Sequence, residues 1–133
     1  MYYFAYASNL NRKQMLERCP DSKPRFIATL PNYKLIFVGW SRQWRGGVGS
    51  IKPFRGERVR GAIYEISELC LRQLDRSEGY PHDYTRLKVT VFDEDSEPIE
   101  VITYMKAGQL EEASPSKEYL AVIQQGYRDW RLF

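Results

Sequence analysis

The segment 3–10 (YFAYASNL) constrains the fold most, because an apolar run of strand length ends there in polar residues. Residues 2–6 are almost continuously apolar, which predicts a buried, central strand. Ser8 and Asn9 break this strand, and a helix-prone segment follows. A strand that turns into a helix leaves backbone N–H groups unpaired and pointing in one direction, an arrangement that suits a carboxylate or a developing oxyanion.

The composition indicates one ordinary soluble domain. The chain has 133 residues, of which 43% are apolar, and this is enough for a core of its own. The sequence shows no repeat, low-complexity tract or linker, so we expect a single domain over residues 1–133. No apolar run approaches the roughly 20 residues that span a bilayer. Met1 leads directly into a predicted strand without a signal-peptide pattern, so we expect a cytoplasmic protein with no membrane partner.

The cysteines and the histidine limit the chemistry that the chain can use. Cys19 and Cys70 lie far apart and form no CxxC pattern, so free thiols are the simplest expectation in a reducing cytosol. His82 is the only histidine, which argues against a zinc site and against catalytic arrangements that need a placed imidazole. We therefore expect no metal, and chemistry carried by carboxylates, hydroxyls or the backbone.

The order of predicted elements favours an α+β fold. Helices are predicted after Asn11, after the N-cap Ser67 and at the opening segment Ser114-Pro115-Ser116, and the second of them is expected to stop near Glu78-Gly79. Strands are predicted at residues 2–6, 25–30, 33–38, 48–51, 59–66, 87–91 and 99–105, with a turn at Pro31-Asn32. Strands and helices do not alternate regularly, and the short antiparallel strands favour a closed or nearly closed barrel.

Glu78 is the strongest candidate for a catalytic group. It lies at the carboxyl end of a predicted helix, where the helix dipole disfavours negative charge and raises the pKa of a carboxyl group. Gly79, Tyr80 and Pro81 follow, and they suggest a tight, aromatic-lined exit from the helix. A carboxylate with a raised pKa is a better general base near neutral pH than a free glutamate. A solvated glutamate at a helix end fits the same local features, so both interpretations stay open.

Other candidate site residues each have a structural alternative. Ser8 and Asn9 are able to hydrogen bond a ligand, and equally able only to turn the strand and cap the next helix. Tyr119 falls on the apolar face of the last predicted helix, where a core tyrosine is the default. Trp44 fits a ligand wall or a loop anchor. Basic clusters occur at residues 42–45 and 55–60, and acidic residues interrupt this pattern. We therefore expect a solvated surface and no nucleic-acid partner.

Four segments of the chain resemble motifs of the γ-glutamylcyclotransferase family. Residues 3–10 resemble the family's YGSNL signature with its preceding strand, and residues 44–48 (WRGGV) resemble its W-x-G-G stretch. Residues 74–79 (LDRSEG) are similar to the L-D-x-x-E-G segment that carries the catalytic glutamate, and residues 115–119 (PSKEY) to the P-S-x-x-Y opening of the terminal helix. Each motif alone is common, whereas all of them in this order are specific, and the resemblance runs nearly end to end.

This resemblance implies a fold, an activity and a site. The fold is a small mixed, largely antiparallel β-barrel with flanking helices, and it needs no cofactor. The activity is cleavage of a γ-glutamyl amide by internal cyclisation, which releases 5-oxoproline and an amino acid or amine. Glu78 is implied as the general acid and base, and a homodimer is the family expectation. The implied substrate-binding residues are Tyr6, Ala7, Ser8, Asn9 and Leu10, whose backbone would hold the α-carboxylate or the oxyanion, and Tyr119, which would close the pocket.

Ala7 departs from the family pattern, which has glycine at this place. If the backbone there needs a positive φ, alanine costs energy and the loop shifts. If glycine serves only close approach, one methyl group narrows the pocket and changes the choice of substrate.

Alternative functions remain open at this point. A γ-glutamylamine cyclotransferase would act by the same chemistry, although that branch usually reads YGTL where this chain has Ser8-Asn9-Leu10. A glutathione-specific activity is less favoured by the same motif. A non-catalytic module that binds a small molecule or RNA on the same scaffold is the alternative of a different class. The presence of Glu78 favours an enzyme.

Overall fold

A closed barrel forms the centre of the structure, a computed structural model that describes residues 1–108 and 110–132. Within these residues the strands are β1 (Tyr2–Ala5), β2 (Lys23–Ser41), β3 (Gly46–Glu65), β4 (Tyr84–Phe92) and β5 (Pro98–Lys106). The helices are α1 (Arg12–Arg18), α2 (Glu68–Glu78) and α3 (Lys117–Trp130), and a 3-10 helix (Ser8–Leu10) follows β1. Residues 109 and 133 belong to the predicted domain but lie outside the described residues.

The barrel order is β1-β3-β2-β4-β5, and the ring closes where β1 meets β5. That pair is parallel, with Tyr3 opposite Ile102, whereas the other neighbouring pairs are antiparallel. The predicted α+β fold, a mixed and largely antiparallel barrel with flanking helices, is therefore confirmed. Among the described residues, no helix has both the length and the apolar character to cross a bilayer.

Two apolar clusters hold the fold together. The first draws on every strand of the barrel and on no helix, so it fills the barrel interior; it includes Phe4, Leu30, Ile63, Val91 and Val101. The second packs the outer face of β1 and β3 against the helices, and includes Tyr64, Met15, Leu74, Ile123 and Trp130. Successive side chains of a strand point to opposite faces, so β1 contributes Phe4 to the interior and Tyr3 to the helical side.

The helices begin and end where the sequence predicts. Side-chain oxygens cap each α-helix: Asn11 accepts the N–H of Gln14, Ser67 that of Cys70, and Ser116 that of Tyr119. Each cap satisfies one of the N–H groups that a helix leaves unpaired at its start. Gly79 ends α2 in the left-handed conformation, at φ 69°. This C-terminal glycine fixes where Glu78 lies, since it is the last residue of the helix.

The strands β2 and β3 are longer than the sequence predicts. The predicted break at Pro31-Asn32 is wrong as a hairpin turn, because β2 continues through it. The ladder shifts register there, from Pro31 opposite Arg58 to Tyr33 opposite Pro53, so that residues 54–57 bulge out of β3. Asn32 has φ 62°, and its side chain accepts the N–H of Gly56. Local turn signals therefore mark a bulge that bends one long hairpin.

The prediction of free thiols at Cys19 and Cys70 is wrong, because the two sulfur atoms are bonded to each other. Cys19 directly follows α1 and Cys70 lies in the first turn of α2, and both side chains are completely buried. Packing of these helices brings the Cα atoms within 5.3 Å, although 51 residues separate them in sequence. Spacing in the sequence does not reveal this proximity, because it arises from tertiary packing.

Candidate active site

Glu78 is held at the bottom of a cavity and is not a solvated helix end. Only 15% of its side chain is exposed. One carboxylate oxygen accepts a hydrogen bond from Asn9 Nδ2 at 3.3 Å and lies 3.5 Å from Arg18 Nη1. Glu78 is therefore not the solvated glutamate that its sequence context also allows, and its catalytic role stays a prediction.

Burial raises the pKa of the Glu78 carboxyl group above its ordinary value, since removal from water penalises the charged form. The positive charges of Arg18 and Lys106 and the hydrogen bond from Asn9 act in the opposite direction without cancelling this effect. A carboxylate with a raised pKa accepts a proton more readily near neutral pH than a free glutamate does. The electrostatics therefore suit a general base.

Asn9 is the residue that orients Glu78. Its Nδ2 also donates to Tyr3 Oη at 2.9 Å, and its Oδ1 accepts from Gln14 Nε2 and Arg18 Nη1, both at 3.0 Å. With both amide donors and the carbonyl oxygen occupied, the side chain cannot turn over without losing several hydrogen bonds. The conformation of the 3-10 helix is thereby linked to the position of the carboxylate.

The 3-10 helix presents backbone N–H groups beside Glu78. The N–H of Leu10 donates to the carbonyl of Ala7, and the N–H of Asn11 to that of Ser8. Among the described residues, no hydrogen bond satisfies the N–H of Ser8 or of Asn9, because the start of such a helix leaves its first N–H groups unpaired. These groups have the properties that the sequence pattern predicts for binding an anionic oxygen.

Two tyrosines fix the strand that faces this loop. The N–H of Gly49 donates to Tyr119 Oη at 2.8 Å, and Tyr84 Oη donates to the carbonyl of Gly49 at 2.8 Å. Tyr119 comes from α3 and Tyr84 from the start of β4, so the backbone N–H and the carbonyl of this β3 residue are held by separate elements. Burial raises the pKa of both phenols, which keeps them protonated.

The cavity above Glu78 has a volume of about 290 Å³. Its outer wall is the turn that joins β2 to β3, residues 42–45, with Trp40 beside it. The Trp44 ring lies against Tyr119, with 5.0 Å between ring centroids. The start of β3, directly after this turn, packs tightly on the segment before α3, since a Cβ on Gly47 would lie 2.2 Å from the carbonyl oxygen of Ala113.

Ala7 lies in the narrow inner end of the cavity. Its φ is −133°, outside the left-handed region, so the explanation that this position needs a positive φ does not hold here. The methyl group points at β3, because a Cβ built on Gly49 would lie 2.8 Å from it. The remaining explanation is close approach, in which the methyl group occupies space that a glycine would leave open.

The structure brings most of the predicted site residues together. Glu78, Ser8 and Tyr119 line the cavity, and Tyr6, Ala7 and Asn9 line its inner end. Leu10 does not line it: the side chain is buried in the core, and the backbone carbonyl accepts the indole N–H of Trp130.

Sequence reasoning missed other residues that the cavity contains. Arg18, Tyr84 and Lys106 line it, and none of them lies in a recognised motif. Their only signal in the sequence is position, since each stands at or near the end of a predicted element.

A metal site is not supported by the side chains that lie close together. Within the described residues, the group of potential ligands with suitable spacing is Cys19, Asp21 and Cys70. The two sulfur atoms form a disulfide, which is not a thiolate ligand, so the donor set that remains does not fit a metal ion.

The fold and the cavity define a class of protein: a small closed barrel that holds a carboxylate in a cavity beside backbone N–H groups that have no partner in the described part of the chain. Comparison with known proteins gives the family. The family model described as Gamma-glutamyl cyclotransferase, AIG2-like, matches residues 3–131. The chain therefore belongs to this enzyme family, which confirms the resemblance read from the motifs.

Individual relatives agree with this assignment. A protein named Gamma-glutamylcyclotransferase from Bos taurus and one of the same name from Homo sapiens are each 30% identical over 132 residues, covering 96% of this chain and 70% of theirs. A solved structure described as Gamma-glutamyl cyclotransferase superposes with a TM-score of 0.94 at 28% identity, covering 99% of this chain and 80% of that one. The fold of YkqA from Bacillus subtilis is also similar, with a TM-score of 0.83 at 22% identity.

Proposed function

We propose that this protein cleaves γ-glutamyl amides by internal cyclisation, with Glu78 as the general acid and base. The observation that carries the proposal is the position of the Glu78 carboxylate. It is buried, and burial raises its pKa. Asn9 of the 3-10 helix donates a hydrogen bond to it, with 3.3 Å between Nδ2 and the carboxylate oxygen. The products are 5-oxoproline and a free amino acid or amine.

The proposed reaction uses one carboxylate because the substrate carries its own nucleophile. Glu78 takes a proton from the α-ammonium group, and the freed nitrogen forms a bond to the γ-carbonyl carbon. The bond from that carbon to the leaving nitrogen then breaks, and Glu78 gives its proton to the leaving nitrogen. The ring nitrogen still carries one excess proton from the ammonium group; it releases this proton to solvent, and the departing amine takes one up from solvent, so that 5-oxoproline and an ammonium group result. The protein would accelerate the reaction largely by binding the substrate in a conformation that brings its α-nitrogen next to its γ-carbonyl, since well-oriented intramolecular attack lowers a barrier by roughly 7–11 kcal/mol.

Within the predicted segment 6–10, the backbone N–H groups of Ser8 and Asn9 are proposed to bind the α-carboxylate or the oxyanion, whereas the N–H of Leu10 is already bonded to the carbonyl of Ala7. The N–H groups of Ser8 and Asn9 support this role, because both residues line the inner end of the cavity and neither N–H has a hydrogen-bond partner among the described residues. Asn9 would hold Glu78 in position, and Tyr119 would form the wall opposite.

The test is release of 5-oxoproline from γ-glutamyl-alanine, γ-glutamyl-ε-lysine and glutathione. Wild type is compared with Glu78→Gln and with Glu68→Gln, a matched change at the exposed start of the same helix. We expect turnover by wild type and Glu68→Gln and its loss in Glu78→Gln. Wild-type rates in Glu78→Gln would remove Glu78 from the mechanism. A folded wild type that turns over no member of the panel would refute the proposed activity.

The Glu78→Gln variant is expected to fold. A carboxyl group whose pKa is raised in the folded state stabilises the fold below its unfolded pKa, and this contribution is lost as pH rises through the folded pKa. Neutral glutamine avoids that loss. The melting temperature of Glu78→Gln at pH 8 should therefore be no lower than that of wild type, and circular dichroism checks this.

A further inference from the structure

The cavity has two ends that meet at Glu78. The narrow inner end is formed by residues such as Tyr6, Ala7 and Asn9, and the wide outer part extends to the turn at 42–45 and to Lys106. Ser8 and Glu78 line both parts. The inner end has a volume of only about 30 Å³, which is room for little more than one carboxylate or amino group. A γ-glutamyl group that reacts beside Glu78 therefore places at most its α-amino acid end there, and the amide and the group that leaves must lie in the outer part.

Lys106 places a positive charge in the outer part. It is the last residue of β5, its backbone N–H donates to Ser50 Oγ at 2.9 Å, and its Nζ lies 4.9 Å from the centroid of the Tyr84 ring. In residues 1–108 and 110–132, no carboxylate lies within 4.0 Å of Nζ. The ammonium group is therefore positioned by strand and ring contacts, and it is not neutralised by an ion pair.

The other charged side chains of the cavity differ from Lys106. Arg18 already contacts Glu78 and Asn9, so its guanidinium group is engaged. Arg42 is exposed in the turn, and Asp83 is exposed and carries the opposite charge. Lys106 alone among these four is both half-buried and without an ion-pair partner in the described part of the chain.

We propose that Lys106 is a specificity-determining residue that binds a carboxylate of the leaving group. This inference rests on the proposed function. A γ-glutamyl amino acid carries such a carboxylate next to the amide that is cleaved, whereas a γ-glutamyl alkylamide carries none. The positive charge of Lys106 would strengthen binding of the γ-glutamyl amino acid and leave binding of the γ-glutamyl alkylamide unaffected. It would also offset the repulsion between Glu78 and the carboxylate of the leaving group.

The experiment compares two substrates that differ in this carboxylate, γ-glutamyl-alanine and γ-glutamyl-ethylamide. Rates are measured for wild type, Lys106→Met, Lys106→Arg and Lys88→Met, which removes an exposed lysine on β4 as a matched control. The assay pH is set well above the acid limb of each variant, so that Glu78 is ionised throughout. Melting temperatures establish that each variant is folded.

We expect Lys106→Met to raise KM for γ-glutamyl-alanine by about tenfold or more, as loss of a hydrogen bond to a charged group does. KM for γ-glutamyl-ethylamide should change less than about twofold, within the range of a neutral substitution. Lys106→Arg should retain most of the discrimination, and Lys88→Met should resemble wild type with both substrates.

An equal loss with both substrates would overturn the proposal, because Lys106 would then serve Glu78 or the glutamyl carboxylate. No loss with either substrate would also overturn it. Failure of the proposed function looks different, since folded wild type would then turn over neither compound.

Discussion

Gly49 and Tyr119 are 70 residues apart in sequence, and the backbone N–H of the first donates to the phenol oxygen of the second at 2.8 Å. Both groups are buried, and Tyr119 lies directly over the cavity. This bond joins α3 to the strand that forms one wall of the site. It explains why a tyrosine on the apolar face of a helix is more than a core residue.

Tyr119→Phe should therefore reduce both stability and substrate binding. The buried N–H of Gly49 loses its acceptor, which costs about 1–3 kcal/mol of unfolding free energy. KM should rise because the cavity wall loses a polar group. Urea denaturation and steady-state kinetics measure these effects. Tyr127→Phe on the same helix is the control, and a variant Tyr119→Phe that matches it in both assays would contradict the role.

The pH dependence of the proposed reaction should change when the positive charge of Arg18 is removed, because this charge lowers the pKa of Glu78. Glu78 acts as a base only when ionised, so kcat/KM should rise with pH through a pKa above that of a free glutamate. Arg18→Met removes the strongest influence that lowers this pKa, and the acid limb should move to higher pH. The loss in kcat/KM should thus be greater at pH 6 than at pH 9. Arg76→Met, an exposed change on α2, should leave the profile in place.

Ala7→Gly should change the choice of substrate. The methyl group lies between the 3-10 helix and β3 at the inner end of the cavity, and removing it widens that end. We expect KM values for a panel of γ-glutamyl compounds to change unequally, within about tenfold, because one methyl group is worth roughly 1 kcal/mol.

Ala121→Gly is the control for this change, because it makes the same substitution at an exposed site of α3. It should lower stability by about 1 kcal/mol and leave the KM values alone. Identical KM values for Ala7→Gly and wild type across the panel would show that the methyl group does not reach the substrate.

Reduction of the Cys19–Cys70 disulfide should destabilise the protein. The bond spans 51 residues, for which loop-closure entropy gives about 4 kcal/mol as an upper figure. Urea denaturation with and without dithiothreitol should show a difference of about 2–4 kcal/mol. The double variant Cys19→Ala/Cys70→Ala should be insensitive to the reductant. A wild type equally insensitive would mean that the two sulfurs are not bonded in solution.

Local signals in the sequence are enough to place the helices and the catalytic candidate. Caps at Asn11, Ser67 and Ser116 and the glycine after Glu78 act within one turn of chain, so their consequences are local. The same reasoning fails for Pro31-Asn32, where a turn signal appears. Whether such a signal makes a hairpin or a bulge depends on the partner strand, which the segment itself does not specify.

The charges and the disulfide of the site are the part that sequence does not reveal. Arg18 meets Glu78, and Cys19 meets Cys70, because α1 and α2 pack against each other. Lys106 reaches the cavity because β5 ends there; the sequence predicts where this strand ends, but not that its end lies at the cavity. Such contacts depend on the tertiary arrangement, and the spacing of residues in the sequence does not predict them.

The closure of the barrel has a consequence for how the protein is made. β1, which leads into the 3-10 helix, comes near the start of the chain. Tyr3 nevertheless meets its neighbour Ile102 only after β5 exists, and the carbonyl of Leu10 accepts a hydrogen bond from Trp130 near the other end of the chain. A ribosome must therefore release nearly the whole polypeptide before the 3-10 helix can settle. We expect slow folding, dominated by distant pairings, and a nascent chain that gains activity in one late step.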